Sequence, residues 1–315
     1  MAEWLIEHGI AEQRALLVED NHVLAARVRW PGELYAGQTI RARLTSKTDT
    51  RGTAIMPDGR DMLVDRLPRD ASEGRDLDLM IIRAALTERG RYKRAAARPA
   101  DTAAIGEDVF GKGRSVHRFP PGLWEEIWEL AATEETTFDG GALLFAVTPG
   151  MIVVDVDGTL PPRELALAAC RPLGRAIRQL DLGGNIGIDF PTLEAKVDRK
   201  AVDAALSAAL ADWPHERTAM NGFGLVQIVA RLEGPSLLHR FASARTGMAA
   251  RMALRRAERI DGAGTTLLTV HPAVKAAIKP EWLGDLERRT GRPVRLESDA
   301  GLAIETATAQ IVSHD

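Results

Sequence analysis

The stretch "MIVVDVDGTL" (Met151–Leu160) decides how this chain is read. An apolar run ends in two aspartates spaced i, i+2. In a strand such residues share a face, so Asp155 and Asp157 point together while Val154 and Val156 point the other way. Close carboxylates repel unless a proton or a cation lies between them. Downstream, "GGNIGIDF" (Gly183–Phe190) is a second apolar strand, and it ends in Asp189. If the two strands are neighbours in one sheet, three carboxylates converge at one end of it. Hard oxygen ligands in that pattern suit Mg²⁺ or Mn²⁺, held by one or two protein carboxylates with positions left for water and phosphate. The plainer alternative is that these aspartates cap helices or hold turns, Asp157 before Gly158 above all.

Around this stretch the chain alternates strands and helices. "GLWEEIWELAATEE" has helical periodicity, and "ALLFAVTP" is a strand entered through Asp139-Gly140-Gly141. "PRELALAACRPLGRAIRQL" is a helix kinked by Pro172. "RKAVDAALSAALADW" is an amphipathic helix and "GFGLVQIVARL" a strand. This alternation implies an α+β or α/β layered core over residues 123–238. Residues 1–98 read as short strands: "RALLVED" and "VLAARVRW" flank an Asp20-Asn21-His22 turn. "QTIRARLTSK", "GTAIMPDG", "RDMLVDRL" and "LDLMIIRAAL" follow, with Asp58-Gly59 as a second turn, and they suggest a small β-barrel. Residues 99–122 are richer in Gly, Pro and polar residues and read as a linker. Residues 239–315 form a small α+β unit with a helix from about Ala244 to Ile260.

The 315 residues allow two or three domains, and the balance of 41 basic against 44 acidic side chains, net −3, is that of an ordinary soluble protein. The first residues carry acids and a His instead of a basic leader, and no apolar stretch reaches the roughly 18 residues of a membrane span, so a cytoplasmic protein without membrane contact is expected. A single cysteine, Cys170, excludes disulfides and cysteine-based structural zinc within the chain and reads as a core residue. Trp124 and Trp128, at i, i+4, read as core as well. The histidines are scattered and suggest no site.

Charge is unevenly spread. "RAALTERGRYKRAAAR" (Arg83–Arg98) holds six basic residues and one acid. Arg89, Arg91, Lys93 and Arg94, with Tyr92 among them, are candidate RNA contacts through phosphate pairing and base stacking. A second run, "RMALRRAERI" (Arg251–Ile260), is either a phosphate-binding stripe or a solvated helix face.

Two family resemblances compete for Asp155. "VVDVDGTL" is similar to the Asp-x-Asp-Gly-Thr motif of haloacid-dehalogenase-type phosphatases, which implies Asp155 as nucleophile and Asp157 as general acid/base. The motif lies some 150 residues into the chain, and the later acidic pair that family needs is missing, with Asp285 in "LGDLERR" standing alone on a helical pattern. The second resemblance covers more. "GGALLFAVTPGMIVVDVDG", "LGRAIRQLDLGGNIGIDF" and "FGLVQIVARLEGPSL" resemble, in order and spacing, the catalytic core of the ribonuclease E/G family, most strongly over residues 124–238.

The ribonuclease resemblance implies a DNase I-like mixed sheet with helices, preceded by a shortened S1-like (OB) barrel and followed by a small domain. It implies a Mg²⁺-dependent endoribonuclease acting on single-stranded RNA in processing or turnover, with water attacking a phosphodiester. Asp155 and Asp189 fall on the family's metal-binding aspartates. Asp157 falls where the family commonly has Asn. Lys93 or Arg94 falls near a basic residue that holds RNA beside the barrel. Phe223 and Gly224 match the family's Phe-Gly, and the resemblance makes Phe223 a further candidate RNA contact. Gly222 replaces the Arg before it, and Thr192 replaces an Asp beyond Asp-Phe. The cysteines of the zinc link are absent, so zinc-bridged oligomers are not expected. The segment after the barrel is too short for the family's 5′-end sensor. A homodimer through the C-terminal unit is implied by resemblance alone. The rival from another class is a non-catalytic RNA-binding factor on the same fold, favoured by Gly222.

Overall fold

The computed structural model describes residues 1–88, 90–100 and 109–313 and shows a mixed α+β chain with a closed five-stranded barrel. β1 (Glu3–Gly9), β2 (Glu12–Glu19) and β3 (His22–Arg29) form an antiparallel meander. The expected turn between β2 and β3 is present: Asp20 and Asn21 take φ of 48° and 62°, the left-handed pair of a tight hairpin. Next come β4 (Thr39–Thr48), β5 (Arg51–Ile55), β6 (Asp61–Val64) and β7 (Asp76–Arg83). A short hairpin, β8 (Leu86–Glu88) and β9 (Arg91–Lys93), leads to β10 (Ala95–Pro99), which pairs with both β6 and β7 and closes the barrel. The barrel has a core of its own around Leu44, Met62, Leu79 and Ile81.

The segment expected as a linker is structural at its end. After the short helix α1 (Val109–Lys112), β11 (Arg114–Val116) runs parallel to β1 and completes the first sheet. Its approach is close: a Cβ on Gly113 would lie 2.6 Å from the Ile6 side chain. Phe119 then enters the main core. The division at residue 98 also shifts. Leu5, Leu16, Val23 and Ala26 of the first sheet share one apolar cluster with residues far along the chain, so the barrel is an insertion into a larger core.

That core is built on α2 (Leu123–Thr133), β12 (Glu135–Phe138), β13 (Gly141–Thr148), β14 (Met151–Gly158), α3 (Pro162–Gln179), β15 (Gly184–Asp189), α4 (Lys196–Ala209), β16 (His215–Arg217) and β17 (Leu225–Ala230). The sheet order is β12-β13-β14-β15-β17-β16, with β14 and β15 the parallel pair. α3 runs through Pro172 as one helix. Trp124 and Trp128 are buried as expected, the latter edge-on to Phe241 at 5.2 Å. Cys170 is buried, donates to the Ala166 carbonyl at 3.2 Å, and has its thiol pushed up to about 12 by burial.

α5 (Leu237–Arg259) crosses the expected boundary at 238/239. Ser236 caps it by accepting from the His239 N–H at 3.2 Å, and it breaks at Ala244, where φ is −146°. Its first part packs in the main core. Its second part gives Met248 and Met252 to that core and packs its other apolar residues with β18 (Thr265–Val270), α6 (Pro272–Ala277), α7 (Pro280–Thr290), β19 (Val294–Ser298) and β20 (Ala307–Val312) in a smaller cluster. No described helix is long and apolar enough to cross a membrane.

The basic run on α5 is neither a phosphate stripe nor a solvated face. Arg251 and Arg255 are buried. Arg255 Nε donates to Glu7 Oε1 at 2.8 Å and its Nη1 pairs with Glu125 on α2. Arg14 Nη1 donates to the same Glu7 oxygen at 2.5 Å, and Glu7 Oε2 accepts from the Phe119 N–H at 2.8 Å. Arg259 joins Glu125 at 2.9 Å, and Arg251 stacks on Trp30 at 3.8 Å. Burial pushes the Glu7 carboxyl up, but the Arg255 hydrogen bond and the two guanidinium charges outweigh it and hold it low.

Removing one partner from such a pair leaves a buried charge, so Arg255→Ala should cost about 3–5 kcal/mol in urea unfolding at neutral pH. A depressed carboxyl binds its proton first in the unfolded state. The stabilisation from Glu7 is therefore present above its ordinary value of 4.5 and is lost as pH falls through its lower folded value. Glu7→Gln should flatten the acid side of the stability curve; an unchanged slope would refute this.

Candidate active site

The central sheet alternates in burial, apart from Gly187 in β15. Leu143, Phe145, Ile152, Val154, Val156, Ile186, Ile188, Val226 and Ile228 are buried on one face. The residues between them form a second face left open to solvent. Across this face the register aligns Leu144, Asp155, Asp189 and Leu225 in one row over four strands. Asp155 and Asp189 are direct partners in the parallel pair, with backbones about 4.8 Å apart. Both are exposed, and among the described residues no donor or cation engages either carboxylate. The leucines that flank them are unusually open, Leu144 at 40 % and Leu225 at 44 %.

Asp157 is on the same face, opposite Ala142, one step beyond the end of β15. Its Oδ1 accepts from the Gly158 N–H at 2.8 Å, the turn role that Asp before Gly often plays. Thr159 N–H bonds the Gly140 carbonyl at 3.0 Å, so the Gly-Thr of the phosphatase-like motif serves the exit from β14. Among the described residues, no three His, Cys, Asp or Glu side chains gather closely enough to hold a metal ion by themselves. The pair Asp155 and Asp189 still fits Mg²⁺ or Mn²⁺ chemically: two facing, unneutralised carboxylates suit a hard cation that keeps most of its water.

Phe223 is on the turn that enters β17, 82 % exposed. Gly224 beside it has φ +92°, and a Cβ there would lie 2.1 Å from the Phe190 carbonyl oxygen, so only glycine fits. Gly222 faces open space. Thr192 Oγ1 donates to the Phe223 carbonyl at 3.4 Å, tying this turn to the end of β15.

The expected basic loop is instead the β8–β9 hairpin, and its charges are largely committed. Lys93 pairs with Glu88, which is buried and also accepts from the Gly150 N–H at 3.2 Å. Arg94 pairs with Asp61 at 2.7 Å. Arg91 and Tyr92 are exposed; Arg89 lies outside the described residues. The contact at Gly150 puts this hairpin at the opposite end of β14, about 16 Å along the strand from Asp155 at 3.3 Å per residue. His239 lines the same junction, buried, its Nδ1 2.7 Å from Ser236 Oγ, and burial lowers its pKa to about 4.

Sequence reasoning did not find the Glu88 clip, because an acid inside a basic run gives no sign of burial. No known protein-family model matches the chain, and no curated protein matches it.

Lys93→Met should expose this arrangement. It leaves Glu88 buried without its cation and should cost roughly 1–3 kcal/mol. Amide exchange across residues 86–93 should rise, and Glu88→Gln in the same chain should restore most of the loss. If stability and exchange are unchanged, Lys93 is not part of the clip.

Proposed function

We propose that this protein is a metal-dependent endoribonuclease acting on single-stranded RNA. The observation that carries the reading is the in-register pairing of Asp155 with Asp189 on the open face of the central sheet. The two carboxylates would hold Mg²⁺, or Mn²⁺ in its place. Such an ion supplies a Lewis acid for a phosphodiester and lowers the pKa of a bound water. Asp155 and Asp189 orient it against the face of a strand whose other side is solid core, so their geometry is fixed by the sheet. Asp157, turned toward Gly158, orders water at the rim. The barrel, read as S1-like, and the exposed Arg91 and Tyr92 would hold RNA as it leaves the open face. The central unit then takes the part of a ribonuclease E/G-type catalytic domain, and the chain works as an RNA-processing enzyme.

The non-catalytic RNA-binding reading draws on two observations. Gly222 offers no side chain where the resembling family has Arg, and no third close metal ligand accompanies the pair. The phosphatase reading is weaker. Asp285, the acid it would need, is on α7 in the C-terminal cluster and pairs with Arg288.

One experiment separates these. A 5′-labelled single-stranded RNA is incubated with wild type, Asp155→Asn and Asp189→Asn, with Mg²⁺ or with a chelator, and p-nitrophenyl phosphate is run in parallel. Cleavage should require the metal and fall by at least 100-fold in either variant. Cleavage that survives both substitutions sinks the mechanism. Binding without cleavage by wild type selects the binding factor, and phosphatase turnover that needs Asp155 but tolerates Asp189→Asn selects the phosphatase.

A further inference from the structure

Among the described residues the exposed aromatic side chains are Tyr92 and Phe223, and they lie at opposite ends of the open face. Tyr92 belongs to the hairpin clipped to Gly150. Phe223 belongs to the carboxylate end, two residues from Leu225, the in-register partner of Asp189. Thr192 Oγ1 and the Phe190 N–H tie its turn to the end of β15, beside Asp189.

The ring is held out of the core by construction. Asn221 Oδ1 accepts from the Phe223 N–H at 2.9 Å and from the Leu225 N–H at 3.1 Å. The Asn221 N–H donates to the Leu225 carbonyl at 3.1 Å, and the Gly224 N–H donates to the Asn221 carbonyl at 3.3 Å. The Phe190 N–H, next to Asp189, donates to the Gly224 carbonyl at 3.2 Å. Gly224 cannot change without striking Phe190. Five residues are thus pinned, and the side chain they present to water is a phenyl ring. Gly222 leaves the space beside it empty. An exposed apolar ring on a fixed backbone costs hydration and gains nothing in the free protein, whereas base stacking on an aromatic ring is favourable and strengthens with ring overlap.

We propose that Phe223 is the stacking platform for the base next to the phosphate held at Asp155 and Asp189, and that it favours a purine there. This rests on the nuclease reading for its scissile phosphate but not for its stacking. The guanidinium expected at position 222 by family resemblance is absent, and the neighbouring ring positions the strand through its base instead of its phosphate.

The test uses the full chain with Mg²⁺ and a single-stranded RNA whose cleavage site has been mapped. Abasic nucleotides replace, one at a time, the residues on either side of the cut. For wild type, one flanking abasic position should slow cleavage roughly ten-fold, the size of one stacked base. Phe223→Ala should slow the intact RNA by a similar factor and should no longer respond to that abasic position, while Phe223→Trp should retain the response. Replacing the purine by a pyrimidine there should give an intermediate loss in wild type alone. A parallel arm binds RNA carrying 2-aminopurine at each position to Asp155→Asn in chelator; quenching at one position should vanish in Asp155→Asn/Phe223→Ala. Wild-type cleavage indifferent to every flanking abasic site, or equal abasic sensitivity in Phe223→Ala, overturns the proposal. If wild type cuts no RNA, the nuclease reading fails, and the quenching arm alone decides the stacking: quenching that survives Phe223→Ala, or is absent at every position, refutes it.

Discussion

The Glu7 carboxylate is the point on which the arrangement of the main core depends. It is 5 % exposed and takes hydrogen bonds from Arg14 of its own hairpin, from the Phe119 backbone and from Arg255, 248 residues away. Buried ion pairs gain little over apolar packing in net energy, because desolvation offsets most of the attraction. Their effect is on choice: any other docking of the long α5 helix strands at least one of these charges. The network therefore fixes one arrangement of first sheet, α2 and α5. Glu125, shared by Arg255 and Arg259, extends it to α2, which packs in the main core.

The two faces of the central sheet have different duties. The inner face is saturated with branched apolar side chains, and its packing leaves the strands no freedom of register, since a slip of one residue would bury Asp155 and Asp189 and expose Val154 and Ile188. The same constraint that protects the core thus holds the carboxylates opposite each other. The outer face needs no packing partner for stability and is free to carry leucines, acids and an aromatic ring. The Glu88 clip attaches the barrel to the far end of the same sheet, so hairpin and carboxylates are referenced to one rigid body.

The sequence was most informative where one physical cause dominates. Apolar runs marked β13, β14, β15 and β17, and the two-residue period of a strand put Asp155 and Asp157 on one face. Paired left-handed residues marked the Asp20-Asn21 hairpin. It was least informative where the cause is distant. β11 is three residues long and is a strand because β1 offers it an edge. β10 is alanine-rich, without β-branched signal, and becomes a strand by closing the barrel. The α5 arginines look solvated in sequence, because their acids come from residues 7 and 125. Lys93 looked available for phosphate for the same reason. Of the site, the pairing of Asp155 with Asp189 was foreseeable from two strand ends, and the turn role of Asp157 from the glycine that follows it.

These placements change how RNA would be held in the proposed enzyme. A strand gripped through many lysines and arginines loses affinity steeply with salt, because each neutralised phosphate releases counterions. Here the chain is net negative, Lys93 and Arg94 are committed to acids, and the residue before Phe223 is a glycine. Lys93 and Arg94 are therefore poorly placed to contact phosphate. Binding would then draw on stacking at the two ends of the open face, on its leucines, and on a cation held at the carboxylate pair. Stacking and apolar contact are only weakly screened by salt, so such a site tolerates ionic strength that would strip a lysine-rich groove. It would also couple recognition to catalysis: an ion held at the pair would both draw in and activate the phosphate, and without it the acidic end of the sheet would repel the strand.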